Sequence, residues 1–163
     1  MTRHEQRFEG RVAVITGAGS GMGAAMARGF WAEGAHVVAV DVDEAGLERT
    51  IASLAGASER ARAVVLDVTD RAAVAAFGRA LERVDVLCNN AGILDDYKPA
   101  HETSWELWTR ILGVNLTGPY LMSHAIVPTM LAQGRGAIVN TASIAGFVAG
   151  GGGAAYTTSK HGL

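Results

Sequence analysis

Tyr156 and Lys160 stand four residues apart in a segment that reads as a helix, so their side chains share one face. An unperturbed tyrosine, with a pKa of about 10, is a poor base at neutral pH. A lysine charge on the same face favours the phenolate and is expected to bring the phenol toward the working range. Such a pair suits proton transfer to or from an oxygen of a bound substrate. Ser143 follows a strand, where its hydroxyl could bond the substrate oxygen. Asn115 lies inside a long helical segment, an unfavourable place for asparagine. Each residue also has a plainer reading: an exposed helix pair, a turn former or cap, a helix kink.

A second group has the makings of a nucleotide site. The run Thr16-Gly17-Ala18-Gly19-Ser20-Gly21-Met22-Gly23 follows the apolar strand Val12–Ile15 and precedes a helix. It reads T-G-x-x-x-G-x-G, and Gly19-x-Gly21-x-x-Ala24 fits the looser dinucleotide fingerprint that ends in alanine. Glycines at a strand-to-helix turn let backbone approach a pyrophosphate, which the helix N-terminus then faces. Asp41 closes the next apolar run, twenty residues past Gly21, where a carboxylate can take both adenosine ribose hydroxyls.

The elements that must position these groups alternate strand and helix, which argues for an α/β fold, a parallel sheet covered on both faces. Helix Ala24–Ala32 has Met22, Ala25, Met26, Gly29 and Phe30 at helical spacing. Strand His36–Val40 precedes helix Glu44–Leu54, with Leu47, Ile51 and Leu54 on one face. Strand Ala63–Leu66 ends at Asp67; Thr69 or Asp70 can cap a helix with face Val74, Phe77 and Leu81. Strand Val84–Cys88 runs into Asn89-Asn90-Ala91-Gly92, and 93–102 is a loop. A long helix is expected from Thr103 to Leu131, with capping-box spacing at Thr103 and Glu106 and a stripe of Trp105, Trp108, Leu112 and Leu116. Gly136–Asn140 is a fifth strand, 143–153 a loop with a four-glycine run, and Ala154 opens the last helix.

The chain has 163 residues, 49 % apolar and 18 % charged, which suits one domain with a core. A net charge of −2 without a basic run gives nucleic-acid or anionic-membrane binding no support. A single cysteine, Cys88, excludes an internal disulfide framework and reads as a small core residue. Met1 to Gly10 lacks the apolar segment of a signal peptide, and no stretch is long enough to span a bilayer, so a cytoplasmic protein is expected. His36, His101, His124 and His161 lack metal-ligand spacing, so no metal is expected. Trp105 and Trp108 read as core or subunit-contact residues, Asp95, Asp96 and Lys98 as a solvated loop. Phe147 and Val148 suggest an apolar wall near the substrate.

Taken together, these motifs resemble the short-chain dehydrogenase/reductase family over Gly10 to Leu163. The resemblance rests on the Thr16–Gly23 turn, Asp41, Asp67-Val68, Asn89-Asn90-Ala91-Gly92, Asn115, Ser143 and Tyr156-x-x-x-Lys160. It implies a Rossmann-type doubly wound sheet and NAD(P)-dependent interconversion of an alcohol and a carbonyl. The implied catalytic residues are Asn115, Ser143, Tyr156 and Lys160. The implied cofactor residues are Gly17, Ser20, Gly21, Met22, Asp41, Asp67, Val68, Asn90, Ala91 and Gly92, with Tyr156 and Lys160. By the same resemblance Lys160 holds the nicotinamide ribose and Asn115 helps hold a proton-relaying water. Asp67 serves the adenine edge and Val68 packs the ring, although Asp67 also reads as a cap or turn residue and Asn89 and Asn90 as loop ties. The expected cofactor is NAD, because Asp41 would repel a 2′-phosphate and Ala18, Ser20 and Val42 supply no cation. A small-molecule alcohol or carbonyl substrate and, at full length, a homo-oligomer are expected.

Family members continue beyond the position of Leu163 with the rest of that helix, two more strands and a substrate loop. On this reading 1–163 is one NAD(P)-binding domain, C-terminally incomplete, its sheet truncated after the fifth strand. The last helix is then expected to be poorly ordered, since four glycines do little to fix its start, and the chain to be nearly inactive. Two other functions fit the same residues: non-catalytic dinucleotide binding, and NADPH-linked reduction of a 3-oxoacyl thioester.

Overall fold

Val12–Thr16 forms β1, whose small and β-branched residues are buried because the strand lies at the centre of a parallel sheet. The computed structural model describes residues 6–54 and 59–163, so the reading of Met1 to Gly10 falls outside the described residues for 1–5. β2 (His36–Asp41) and β3 (Ala61–Val65) extend the sheet on one side, β4 (Val86–Asn89) and β5 (Ala137–Asn140) on the other. The order is β3-β2-β1-β4-β5, all pairs parallel. The chain leaves the centre toward β3 and then crosses back to β4. That reversal opens a crevice at the C-terminal ends of β1 and β4, where open sheets of this kind bind ligands.

Alternating side chains send the strands into two cores, as a doubly wound sheet requires. Val14, Val38, Val40 and Leu87 pack with Val74 of α3 (Arg71–Arg79) and with Met122 and Ile126 of α5 (Gly118–Ala132). Ala13, Ile15, Val37 and Cys88 pack on the other face with Ala27 of α1 (Gly21–Ala32) and Leu47 of α2 (Glu44–Ala52). Among the described residues no helix is long and apolar enough to cross a membrane.

Three local expectations are corrected. The fully buried face of α1 is Gly23, Ala24 and Ala27, small residues that let the helix lie close to β1; of the expected stripe, Met26 and Phe30 pack partly buried against the core while Met22 is exposed. The long helix is not continuous: α4 (Trp105–Leu112) passes through a π-helical segment, Gly113–Thr117, into α5. The wider π turn shifts the register between α4 and α5; Ile111 and Asn115 are buried, and of the expected stripe Trp108, Leu112 and Leu116 are half-buried while Trp105 is exposed. The cap of α4 is Ser104, whose Oγ accepts from Leu107 N at 3.1 Å, one residue past the expected Thr103. Asp70, rather than Thr69, caps α3, accepting from Ala72 N and Ala73 N.

At the N-terminal end of the strands, opposite the crevice, Asp85 ties the starts of β1, β4 and β5 together. Its carboxylate accepts from Val12 N at 2.9 Å, pairs with Arg11 and Arg83 at 2.9 and 2.7 Å, and with Arg135 at 3.2 Å. Burial opposes its ionisation, but the Arg83 hydrogen bond, the Val12 amide and Arg11 outweigh that and hold the carboxyl well below the usual range. A depressed folded pKa contributes stability that is present above the unfolded value, about 3.9, and is lost as pH falls through the folded one. Stability is therefore expected to decline below about pH 4 with Asp85 in place and to lose that part of its pH dependence in Asp85→Asn. At pH 7 Asp85→Asn should cost about 2 kcal/mol in denaturant unfolding, less than a fully buried pair because the guanidiniums rehydrate.

Candidate active site

The turn after β1 is shaped by what its glycines leave empty. Gly17 has φ +68, and a Cβ there would stand 2.9 Å from Ala91 Cα. A Cβ on Gly23 would overlap the carbonyl of Gly17. Thr16, buried, completes the joint: its Oγ1 accepts from Asn90 N and Ala91 N, each at 3.0 Å, and donates to Cys88 O at 3.3 Å. Asn90 Nδ2 donates back to Thr16 O at 3.0 Å. The ends of β1 and β4 are thus locked across the crevice, and the loop-tying role of Asn90 is real alongside its place in the site.

The crevice is a cavity of about 940 Å³. Gly17, Ser20, Gly21, Met22, Asp41, Asp67, Val68, Asn90, Ala91 and Gly92 all line it, so every cofactor candidate outside the last helix is brought together. The Asp41 carboxylate is held by Gly19 N at 2.8 Å and Asp43 N at 3.0 Å. Asp67 also shapes its own turn, accepting from Thr69 N at 2.8 Å and from Thr69 Oγ1 at 2.7 Å. Gly-lined backbone at a helix N-terminus, beside a fixed carboxylate, fits a dinucleotide: donors for a pyrophosphate and an acceptor pair for a ribose diol.

The catalytic candidates adjoin this cavity at Gly92. A Cβ on Gly92 would be 3.4 Å from Asn115 Oδ1 and 3.7 Å from Lys160 Nζ. Asn115 is fully buried; its Oδ1 accepts from Ile93 N at 2.8 Å and its Nδ2 donates to Ile93 O at 2.9 Å and Ser159 Oγ at 3.1 Å. It therefore joins the loop after β4 to α6 (Ala154–Gly162). Lys160 on α6 is only 6 % exposed and donates to Thr141 O at 2.7 Å; burial pushes its ammonium pKa down. Its Nζ lies 5.8 Å from the Tyr156 ring centroid, which keeps the pair on one face. Ser143 Oγ accepts from Ala145 N at 3.2 Å and caps the short 3-10 turn Ile144–Gly146, the plainer of its two readings.

Several residues here escape a local reading. Trp105, with Glu106, Thr109, Arg110 and Val114, lines the cavity and is 74 % exposed, so it is not a core residue. Asp96 and Lys98 are exposed, as a solvated loop requires, but Asp95 departs from that reading: it is 1 % exposed and accepts from Gly153 N at 2.9 Å and Tyr156 N at 2.8 Å. Lys98 O accepts from Ala154 N at 2.9 Å. These bonds anchor the start of α6 where the glycine run alone would not, and Ala155, Ser159 and Lys160 are buried. Cys88 is a core residue as expected, and burial pushes its thiol up to about 11. Among the described residues no cluster of His, Cys, Asp and Glu could hold a metal ion.

Residues 11–163 match the family model described as short chain dehydrogenase. The chain is 42 % identical over 161 residues to a D-threitol dehydrogenase of Mycolicibacterium smegmatis, covering 96 % of this chain and 62 % of that protein. It superposes on a metagenomic short-chain oxidoreductase in complex with NADP with a TM-score of 0.89 at 40 % identity, covering 96 % of this chain and 72 % of that one. Against a short chain dehydrogenase/reductase of Burkholderia phymatum in complex with NAD the TM-score is 0.87 at 39 % identity, covering 95 % and 57 %. The chain thus spans less than two thirds of the length of the D-threitol dehydrogenase.

Proposed function

The chain belongs to the short-chain dehydrogenase family, and from that premise we propose that it is the cofactor-binding and catalytic part of an NAD-dependent oxidoreductase interconverting a secondary alcohol and a ketone. The observation that carries this is the junction at Gly92, where a cavity lined by the cofactor candidates meets Asn115 and Lys160. The nicotinamide, when bound, supplies the hydride acceptor or donor. Gly17, Ser20, Gly21 and Met22 would face the pyrophosphate, Asp41 the adenosine ribose, and Asp67 and Val68 the adenine. Asn90, Ala91 and Gly92 would line the path to the nicotinamide half, with Tyr156 and Lys160 at its ribose.

In the oxidative direction the Tyr156 phenolate, favoured by the positive charge of Lys160 on the same helix face, takes the alcohol proton on Oη and becomes the phenol as hydride leaves the adjoining carbon for the cofactor. Ser143 Oγ donates to the substrate oxygen. Asn115 fixes the loop at Ile93 and, through Ser159, the helix that carries the pair. The proposal extends to one NAD(P)-binding domain over 1–163 in a cytoplasmic homo-oligomer. Exposed Trp105, Tyr120 and Leu131 are apolar surface that a second copy would cover.

NAD is preferred over NADP in this proposal, although relatives of both kinds are similar to the chain. The Asp41 carboxylate is immobilised by two amides and cannot swing away from a 2′-phosphate. Calorimetric titration of the chain with each cofactor is expected to give NAD at least about tenfold tighter, about 1.4 kcal/mol. Asp41→Ala with Val42→Arg should reverse the order. Equal or tighter NADP binding by the wild-type chain would sink the cofactor assignment.

A further inference from the structure

We propose that Asp95 is a positioning residue for Tyr156, acting through the first turn of α6; the inference rests on the oxidoreductase reading above. The segment Asp95-Asp96-Tyr97-Lys98 is a tight turn, with Lys98 N donating to Asp95 O at 3.3 Å. Its two central residues have φ +55 and +58, left-handed backbone that is uncommon for Asp and strained for Tyr. The strain brings both ends of the turn onto α6. Asp95 Oδ1 accepts from Gly153 N and Oδ2 from Tyr156 N, while Lys98 O accepts from Ala154 N.

The fit depends on Gly153 as well. A Cβ there would lie 2.5 Å from Asp95 Oδ2, 2.6 Å from Oδ1 and 2.6 Å from Lys98 N. The carboxylate is buried, so its charge is balanced by amides that a helix N-terminus leaves without intrahelical partners and by the positive end of the helix dipole. One of those amides is the backbone of Tyr156 itself. The four-glycine run before α6 cannot set the height or rotation of Tyr156; the Asp95 turn does. The same loop begins at Gly92 and Ile93, beside the cofactor cavity, and Asn115 holds Ile93 by both backbone groups. Asp95 therefore references the acid/base to the cofactor floor, and it touches neither substrate nor cofactor in this role.

The test uses Asp95→Asn, Asp95→Ala and Gly153→Ala, the last breaking the clamp from the helix side with Asp95 intact. In the 163-residue chain, NMR hydrogen exchange at Gly153 and Tyr156 should accelerate at least about tenfold in Asp95→Ala while β1 amides stay protected. In a full-length version, kcat for secondary alcohols with NAD should fall about 100-fold in Asp95→Ala. Asp95→Asn, which keeps one acceptor, should recover about tenfold of that. The KM and Kd for NAD should stay within about twofold, a split that fold-wide loosening would not give. If Asp95→Ala does not fold, Gly153→Ala carries the same expectation. Unchanged kcat in the variants, unchanged exchange at Tyr156, or a loss of NAD affinity in step with kcat would each overturn the proposal. A wild-type full-length protein that binds NAD without turnover overturns the oxidoreductase reading instead, and the exchange measurement alone then decides the clamp.

Discussion

Tyr156→Phe, in a full-length version, is expected to lower kcat about a thousandfold and to leave the Kd for NAD within about twofold. The change deletes one oxygen. The ring keeps its packing beside Gly152, the Tyr156 amide keeps its bond to Asp95, and Lys160 keeps its bond to Thr141 O, so α6 is not disturbed. What is lost is the group that takes the alcohol proton. Without it the proton must leave to water from an oxygen whose normal acidity is far too low at neutral pH. Single-turnover measurement of NADH formation separates this step from binding. Turnover above roughly a few per cent of wild type would move the acid/base role to another residue, given the usual range for such groups.

The division between what the chain's local patterns reveal and what they hide is instructive here. The ten cofactor candidates that line the cavity all sit in short motifs at strand C-termini, where glycine, Asp41 and Asn90 carry their meaning in adjacent residues. The alternation of strands and helices, and with it a parallel sheet covered on both faces, follows from apolar runs of strand length broken by helical spacing; the strand order does not. Asp95 had no such signal, because its partners are 58 and 61 residues away. Propensity alone makes α6 a weak helix after a floppy run; a cap supplied from a distant turn overrides it. The π turn at Gly113–Thr117 likewise has no periodic signature, yet it holds the buried Asn115. Periodicity separates an apolar face from a polar one, but a cavity wall and a core wall look the same to it.

The second large effect concerns α1, where one chemical change at three places is expected to destabilise at two of them, by different amounts, and to stabilise at the third. Gly23→Ala should weaken NAD binding about a hundredfold, about 2.7 kcal/mol, and cost about 3 kcal/mol in unfolding. The added methyl would meet Gly17 O, Gly17 C and Asn90 Nδ2. Two of those atoms are backbone, and the third is the amide that ties β4 to Thr16 O, so no side chain can rotate out of the way. Relief requires α1 to lift from the turn that Gly17, Ser20 and Gly21 contribute to the cavity. Gly21→Ala meets nothing within 4 Å but carries φ +50, so it should cost only about 1 kcal/mol of backbone strain. Gly29, in the same helix with an ordinary φ and open space, should gain about 0.5–1 kcal/mol on replacement by alanine, from helix propensity alone. Denaturant unfolding of the three variants beside calorimetric titration with NAD distinguishes these outcomes. If Gly23→Ala bound NAD as tightly as Gly29→Ala, close approach of α1 to the Gly17 backbone would not be what shapes the site.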